Sequence, residues 1–95
     1  ADPVNCGGFT EWRKIAALAT AFHVPLAPHG YETIGQHCVG ALPETLMVET
    51  YPAHNSVRWL LGPLKIVNGM IDLPEEPGLG VVFDKAHLDR LAAGA

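Results

Sequence analysis

Three ionisable side chains in this chain have types and positions suited to acid/base chemistry: Asp2, His29 and Glu49. His29 closes the stretch "VPLAPHG", and Glu49 closes the apolar run "LMVE". Asp2 stands at the very start, before Pro3 and a glycine pair. An Asp beside a His fixes the imidazole tautomer and steadies the imidazolium, which suits a general base working near neutral pH. A second carboxylate, when protonated, can donate a hydrogen bond to a developing oxyanion. Taken singly, each residue has an ordinary explanation. An Asp before Pro makes a turn or a cap, a His after a strand packs, and a Glu after a strand is solvated. What favours function is the recurrence of all three at consecutive strand ends.

The elements that must position them follow from the apolar pattern. Residues Thr10 to Phe22 predict a helix, because Trp12, Ile15, Ala16, Ala19 and Phe22 fall on one face. Thr10 is the expected N-cap, with Glu11 at the positive end of the helix dipole. Val24 to Ala27 is short, apolar and uncharged, as in a strand covered on both faces in a parallel sheet. Residues Glu32 to Leu42 predict a second helix through Ile34, Cys38, Ala41 and Leu42, stopped by Pro43. Leu46 to Glu49 predicts another strand, and Ala1-Asp2 the stub of an earlier one. The unit reads β-α-β-α-β, an α/β arrangement. Parallel strands end on one face about 4.8 Å apart, so Asp2, His29 and Glu49 share one mouth. In a closed (β/α)8 barrel that face carries the active site.

After residue 50 the pattern changes, so the chain divides into residues 1–50 and a tail of residues 51–95. Val57 to Leu61 predicts a short turn or helix. Leu64 to Val67 and Met70 to Leu73 predict a hairpin about Asn68-Gly69. Asp84 is expected to cap a last helix through Leu91. Other motifs carry less. His37 and Cys38 are adjacent on a helix and point to different faces, so they make no metal pair. "GLG" at Gly78 to Gly80 is too short and too late for a phosphate loop. Trp12 and Trp59 are expected to pack, and His54 and His87 to be solvated.

Bulk properties narrow the classes. The chain has 95 residues, 48% hydrophobic, with mean hydropathy +0.17. That is apolar for so short a chain and suits a piece of something larger. With Ala1 rather than Met at the start, it reads as though cut at a strand end. The net charge is −4 with no basic patch, which argues against nucleic acid. No apolar run approaches the ~20 residues that span a bilayer, and no leader stands at the start. Two cysteines, Cys6 and Cys38, read as free thiols in a reducing cytoplasm.

"DPVNCGGFTEWRKIAALATAFHVPLAPHG", "ALPETLMVET" and "NGMIDLPEEPGLGVVFD", in this order and spacing, resemble the C-terminal part of the enolase superfamily, in its mandelate racemase/muconate lactonising enzyme family. The likeness runs from Asp2 to about Leu91. It implies the end of the sixth strand and the seventh and eighth strands of a TIM-like barrel, with a tail packing on an N-terminal capping domain outside this chain. It implies His29 and Asp2 as an acid/base dyad and Glu49 as the residue that hydrogen-bonds the substrate carboxylate. The chemistry implied is removal of the proton α to a carboxylate through an enediolate, with Mg²⁺ as cofactor. An acid-sugar dehydratase is the first expectation and a racemase or epimerase of the same family the alternative, acting on a small carboxylate such as a sugar acid. A homo-oligomer is a further implication. The family's metal ligands lie on the third to fifth strands, outside this chain, so the isolated chain is expected to be inactive. A catalytically incomplete fragment, or a small binding or assembly module without a metal site, remains open as a different class.

Overall fold

Trp12 is the residue around which the first unit is built. Its side chain is 1% exposed and sits with Ala16 and Cys38, with Cys6, Leu26 and Leu42 packed alongside. The indole Nε1–H donates to the Ala1 carbonyl at 3.0 Å, tying the chain start to a helix eleven residues on. The computed structural model describes residues 1–43, 45, 47–51 and 64–94. Two compact units result, Ala1–Tyr51 and Pro52–Ala95. The expected element at Val57 to Leu61, Trp59 and His54 lie outside the described residues.

In the first unit, residues 2–8 form a tight turn. Cys6 N–H donates to the Asp2 carbonyl at 3.0 Å and Gly8 N–H to that of Pro3 at 2.8 Å. Helix α1 follows over Phe9–Ala21. Its N-cap is Gly8 and not Thr10, which lies inside the first turn; no side chain caps this end. The glycine pair, at positive φ, swings the backbone into the helix one residue earlier than the hydroxyl would have done. Of the expected apolar face, Trp12 and Ala16 are buried and Ala19 is half-buried, whereas Ile15 and Phe22 are exposed.

Residues 24–27 do not form the regular, doubly covered strand that their composition predicts. Val24, Pro25 and Ala27 are exposed. Residues 1–2 and 47–50 are likewise not regular strands. The physical reason is visible in the sequence: Pro25 and Pro28 have no N–H to give a ladder. Among the described residues, a hydrogen bond joins the segments, from Glu49 N–H to the Pro28 carbonyl at 3.2 Å.

Helix α2 spans Glu32–Gly40, two residues shorter than expected, and packs on both segments. Gly35 makes that approach possible. A Cβ there would lie 2.7 Å from Val48 Cγ2 and 3.3 Å from Pro28 Cβ. Past the helix, the buried Thr45 hydroxyl lies 2.9 Å from the Val39 and Leu42 carbonyls and turns the chain back toward residues 47–50.

The second unit contains the expected hairpin. Strands β1 (Ile66–Val67) and β2 (Met70–Ile71) pair antiparallel, Ile66 with Ile71 and Val67 with Met70. Asn68 and Gly69 both have positive φ, at 51° and 74°, as a type I′ turn requires. "GLG" is backbone chemistry: a Cβ on Gly80 would collide with the Pro74 ring. Helix α3 spans Lys85–Ala92, with Asp84 accepting from His87 N–H at 2.9 Å. Among the described residues, no helix is long and apolar enough to cross a membrane.

Two measurements check this packing. Gly35→Ala gains about 1 kcal/mol of helix propensity and meets an overpacking cost of about 1–3 kcal/mol against stiff Val48. Urea unfolding should therefore show a net loss of about 1 kcal/mol. A variant more stable than the parent contradicts the close approach. Burial, with Cys6 beside it, pushes the Cys38 thiol up to about 11. At pH 8 only about one Cys38 in a thousand is then thiolate. Mass spectrometry after brief treatment with a thiol reagent should find Cys38 unmodified; rapid labelling of Cys38 contradicts its burial.

Candidate active site

Asp2 is held before it does anything else. Its Oδ1 accepts from Val4 N–H at 2.8 Å and Asn5 N–H at 3.3 Å, and its Oδ2 accepts from Asn5 Nδ2 at 2.9 Å. This is the turn role that an Asp before Pro suggests. The same carboxylate also faces the imidazole, with Oδ2 3.8 Å from His29 Nδ1. That separation is an ion-pair distance, longer than a hydrogen bond. The Asp2 side chain is 10% exposed, so its charge is well shielded from water.

His29 follows the buried Pro28, whose ring lies against α2 beneath Gly35. Its own side chain is 69% exposed, so the ring can be reached from solution. On its far edge, Nε2 lies 3.5 Å from Glu49 Oε2. The backbone bond from Glu49 to Pro28 sets this spacing, since it aligns residue 49 one position before His29. The three residues selected from the sequence therefore meet: the imidazole lies between two carboxylates, one on each ring nitrogen.

A fourth residue joins them. The Tyr51 hydroxyl donates to Glu49 Oε1 at 2.6 Å. Its ring stands edge-on to the imidazole, centroids 6.2 Å apart and planes at 73°. The hydrogen bond to Glu49, then partial desolvation and the carboxylate charge, push the Tyr51 phenol above its ordinary range. In the sequence Tyr51 stands at the start of the tail, outside the set of Asp2, His29 and Glu49. The signal that finds it is the spacing: in an extended chain residues 49 and 51 point to the same side.

These residues do not themselves fit a magnesium site. Among the described residues, no group of three or more His, Cys, Asp or Glu could hold a metal ion. The Asp2 oxygens already accept from three N–H groups, and one Glu49 oxygen is taken by Tyr51. Mg²⁺ needs near-octahedral oxygen ligands. What the cluster offers is a reachable imidazole flanked by negative charge, which is proton-transfer chemistry.

The chain is similar to known proteins over most of its length. A family profile described as "Enolase C-terminal domain-like" matches residues 1–87. The chain is 34% identical over 93 residues to 3,6-anhydro-alpha-L-galactonate cycloisomerase of Streptomyces coelicolor, covering 98% of this chain and 26% of that protein. It is 35% identical to D-galactarolactone cycloisomerase of Agrobacterium fabrum, covering 92% of this chain and 27% of the relative. L-rhamnonate dehydratase of Saccharopolyspora erythraea is 37% identical over 80% of this chain and 22% of its own length. Among solved structures, a racemase from Streptomyces coelicolor with bound magnesium superposes with TM-score 0.75 at 34% identity, covering 90% of this chain and 23% of that one. A mandelate racemase/muconate lactonizing enzyme from a marine actinobacterium, in complex with magnesium, gives TM-score 0.77 at 26% identity, over 88% of this chain and 25% of that one. The chain thus spans about a quarter of the length of these relatives. It has the α/β fold of the enolase C-terminal domain and belongs to the mandelate racemase/muconate lactonizing enzyme family of the enolase superfamily.

Proposed function

We propose that this chain supplies the last part of an enolase-type barrel to a longer enzyme, and that His29 there removes the proton α to the carboxylate of an acid sugar. The observation that carries the reading is the imidazole held between Asp2 at 3.8 Å and Glu49 at 3.5 Å. Asp2, fixed by its own turn, favours the tautomer with the proton on Nδ1. Nε2 then carries the lone pair and takes the α-proton. Asp2 is the positioning partner and steadies the imidazolium that forms. Glu49, on the Nε2 side, hydrogen-bonds the substrate carboxylate, donating when protonated, as charge builds on its oxygens. Catalytic distances tighten in the substrate complex, so 3.8 Å without substrate is compatible with the dyad. Mg²⁺ belongs to this proposal as a cofactor of the whole enzyme, with ligands from outside this chain. The two free thiols suit a cytoplasmic enzyme.

Dehydration is the first outcome: after loss of the α-proton, the C–O bond to the β-hydroxyl breaks and the hydroxyl leaves as water with an added proton. Isomerisation is a second reading, favoured by the cycloisomerase names of two relatives. Both begin with the same proton removal, so one experiment tests the shared step. In D₂O, the full-length enzyme should exchange the α-proton of an acid-sugar substrate. His29→Ala should abolish that exchange while Mg²⁺ binding by calorimetry survives. Exchange that persists without His29 overturns the assignment. For Glu49, Glu49→Ala should lower kcat by about 10²–10³-fold, the scale of one lost oxyanion donor. Turnover at the wild-type rate makes Glu49 a bystander.

A further inference from the structure

We propose that Tyr51 is a positioning residue of this site, fixing the Glu49 carboxylate in one orientation and bracketing the His29 ring. The inference rests on the reading of His29 and Glu49 as working groups. A carboxylate turns easily about its last bond, because such torsions are broad and two-fold. Its two oxygens are therefore equivalent until something distinguishes them. The Glu49 side chain is 44% exposed, so packing alone does not hold it. The Tyr51 hydroxyl supplies the missing restraint, donating to Oε1 at 2.6 Å, in the range of a short charge-assisted bond. With Oε1 engaged, Oε2 is the oxygen turned toward His29 Nε2. The edge-on contact of the phenol ring, within the usual range for aromatic pairs, limits the swing of the imidazole on the same side. Tyr51 thus touches both groups and acts through them. Its raised phenol keeps the hydroxyl a donor through neutral and mildly alkaline pH.

The test is a double-mutant cycle in the full-length enzyme, assayed with an acid-sugar substrate. Tyr51→Phe keeps the ring and deletes the donor. It should lower kcat about tenfold with KM within about twofold, the size of one hydrogen bond to a charged group. In a Glu49→Ala background the same change should alter kcat by less than about twofold, because the group that Tyr51 orients is already gone. A loss equally large in both backgrounds overturns the proposal and marks Tyr51 as merely structural. So does a Tyr51→Phe enzyme with unchanged kcat. Either failure leaves the catalytic reading standing, which the deuterium exchange of His29→Ala decides separately.

Discussion

One backbone hydrogen bond, from Glu49 N–H to the Pro28 carbonyl, sets the geometry on which the site depends. It brings two irregular segments together where a full ladder is absent, and it aligns them so that His29 and Glu49 face each other. Gly35 of α2 makes the junction tight by letting the helix lie against Pro28 and Val48 at once. Thr45 returns the chain to that junction by bonding to carbonyls at the end of the same helix. Asp2 reaches the imidazole by a separate route, through the carbonyl of Ala1 bound to the Trp12 indole and the turn that Asp2 itself closes. Local bonds of ordinary strength thus converge on one ring.

Much of this was legible in the sequence, and the reasons are specific. Both helices of the first unit followed from apolar spacing, and the hairpin followed from Asn68-Gly69, because each depends on local rules. Asp2, His29 and Glu49 were found because three titratable residues recurred at the ends of apolar runs. Their meeting needs no ladder, only adjacent segments pointing the same way. The composition predicts regular strands at 24–27 and 46–49, whereas residues 24–27 and 47–49 form none. Apolar composition signals burial, whereas a strand needs donors on a neighbour, and Pro25 and Pro28 give none. The Thr10 cap failed for a related reason: the backbone freedom of Gly7-Gly8 starts the helix earlier. Tyr51 follows a titratable residue that ends an apolar run, and only the two-residue alternation past Glu49 places it beside that carboxylate.

The exposed apolar side chains and the coverage of relatives have one common meaning for function. Phe22, Leu18 and Val24 stand open on the first unit, and the chain spans about a quarter of each relative. Asp2, His29 and Glu49 are gathered in this segment, while no metal-binding group is found among its described residues.

The central claim is that His29 Nε2 receives the α-proton. The most direct measurement is a crystal structure of the full-length enzyme with a bound acid sugar. The account predicts the substrate α-carbon about 3–3.5 Å from Nε2, the near-attack distance, with Asp2 on the opposite edge of the ring. A complex in which the α-carbon faces a different base, with the His29 ring turned away from it, would contradict the account.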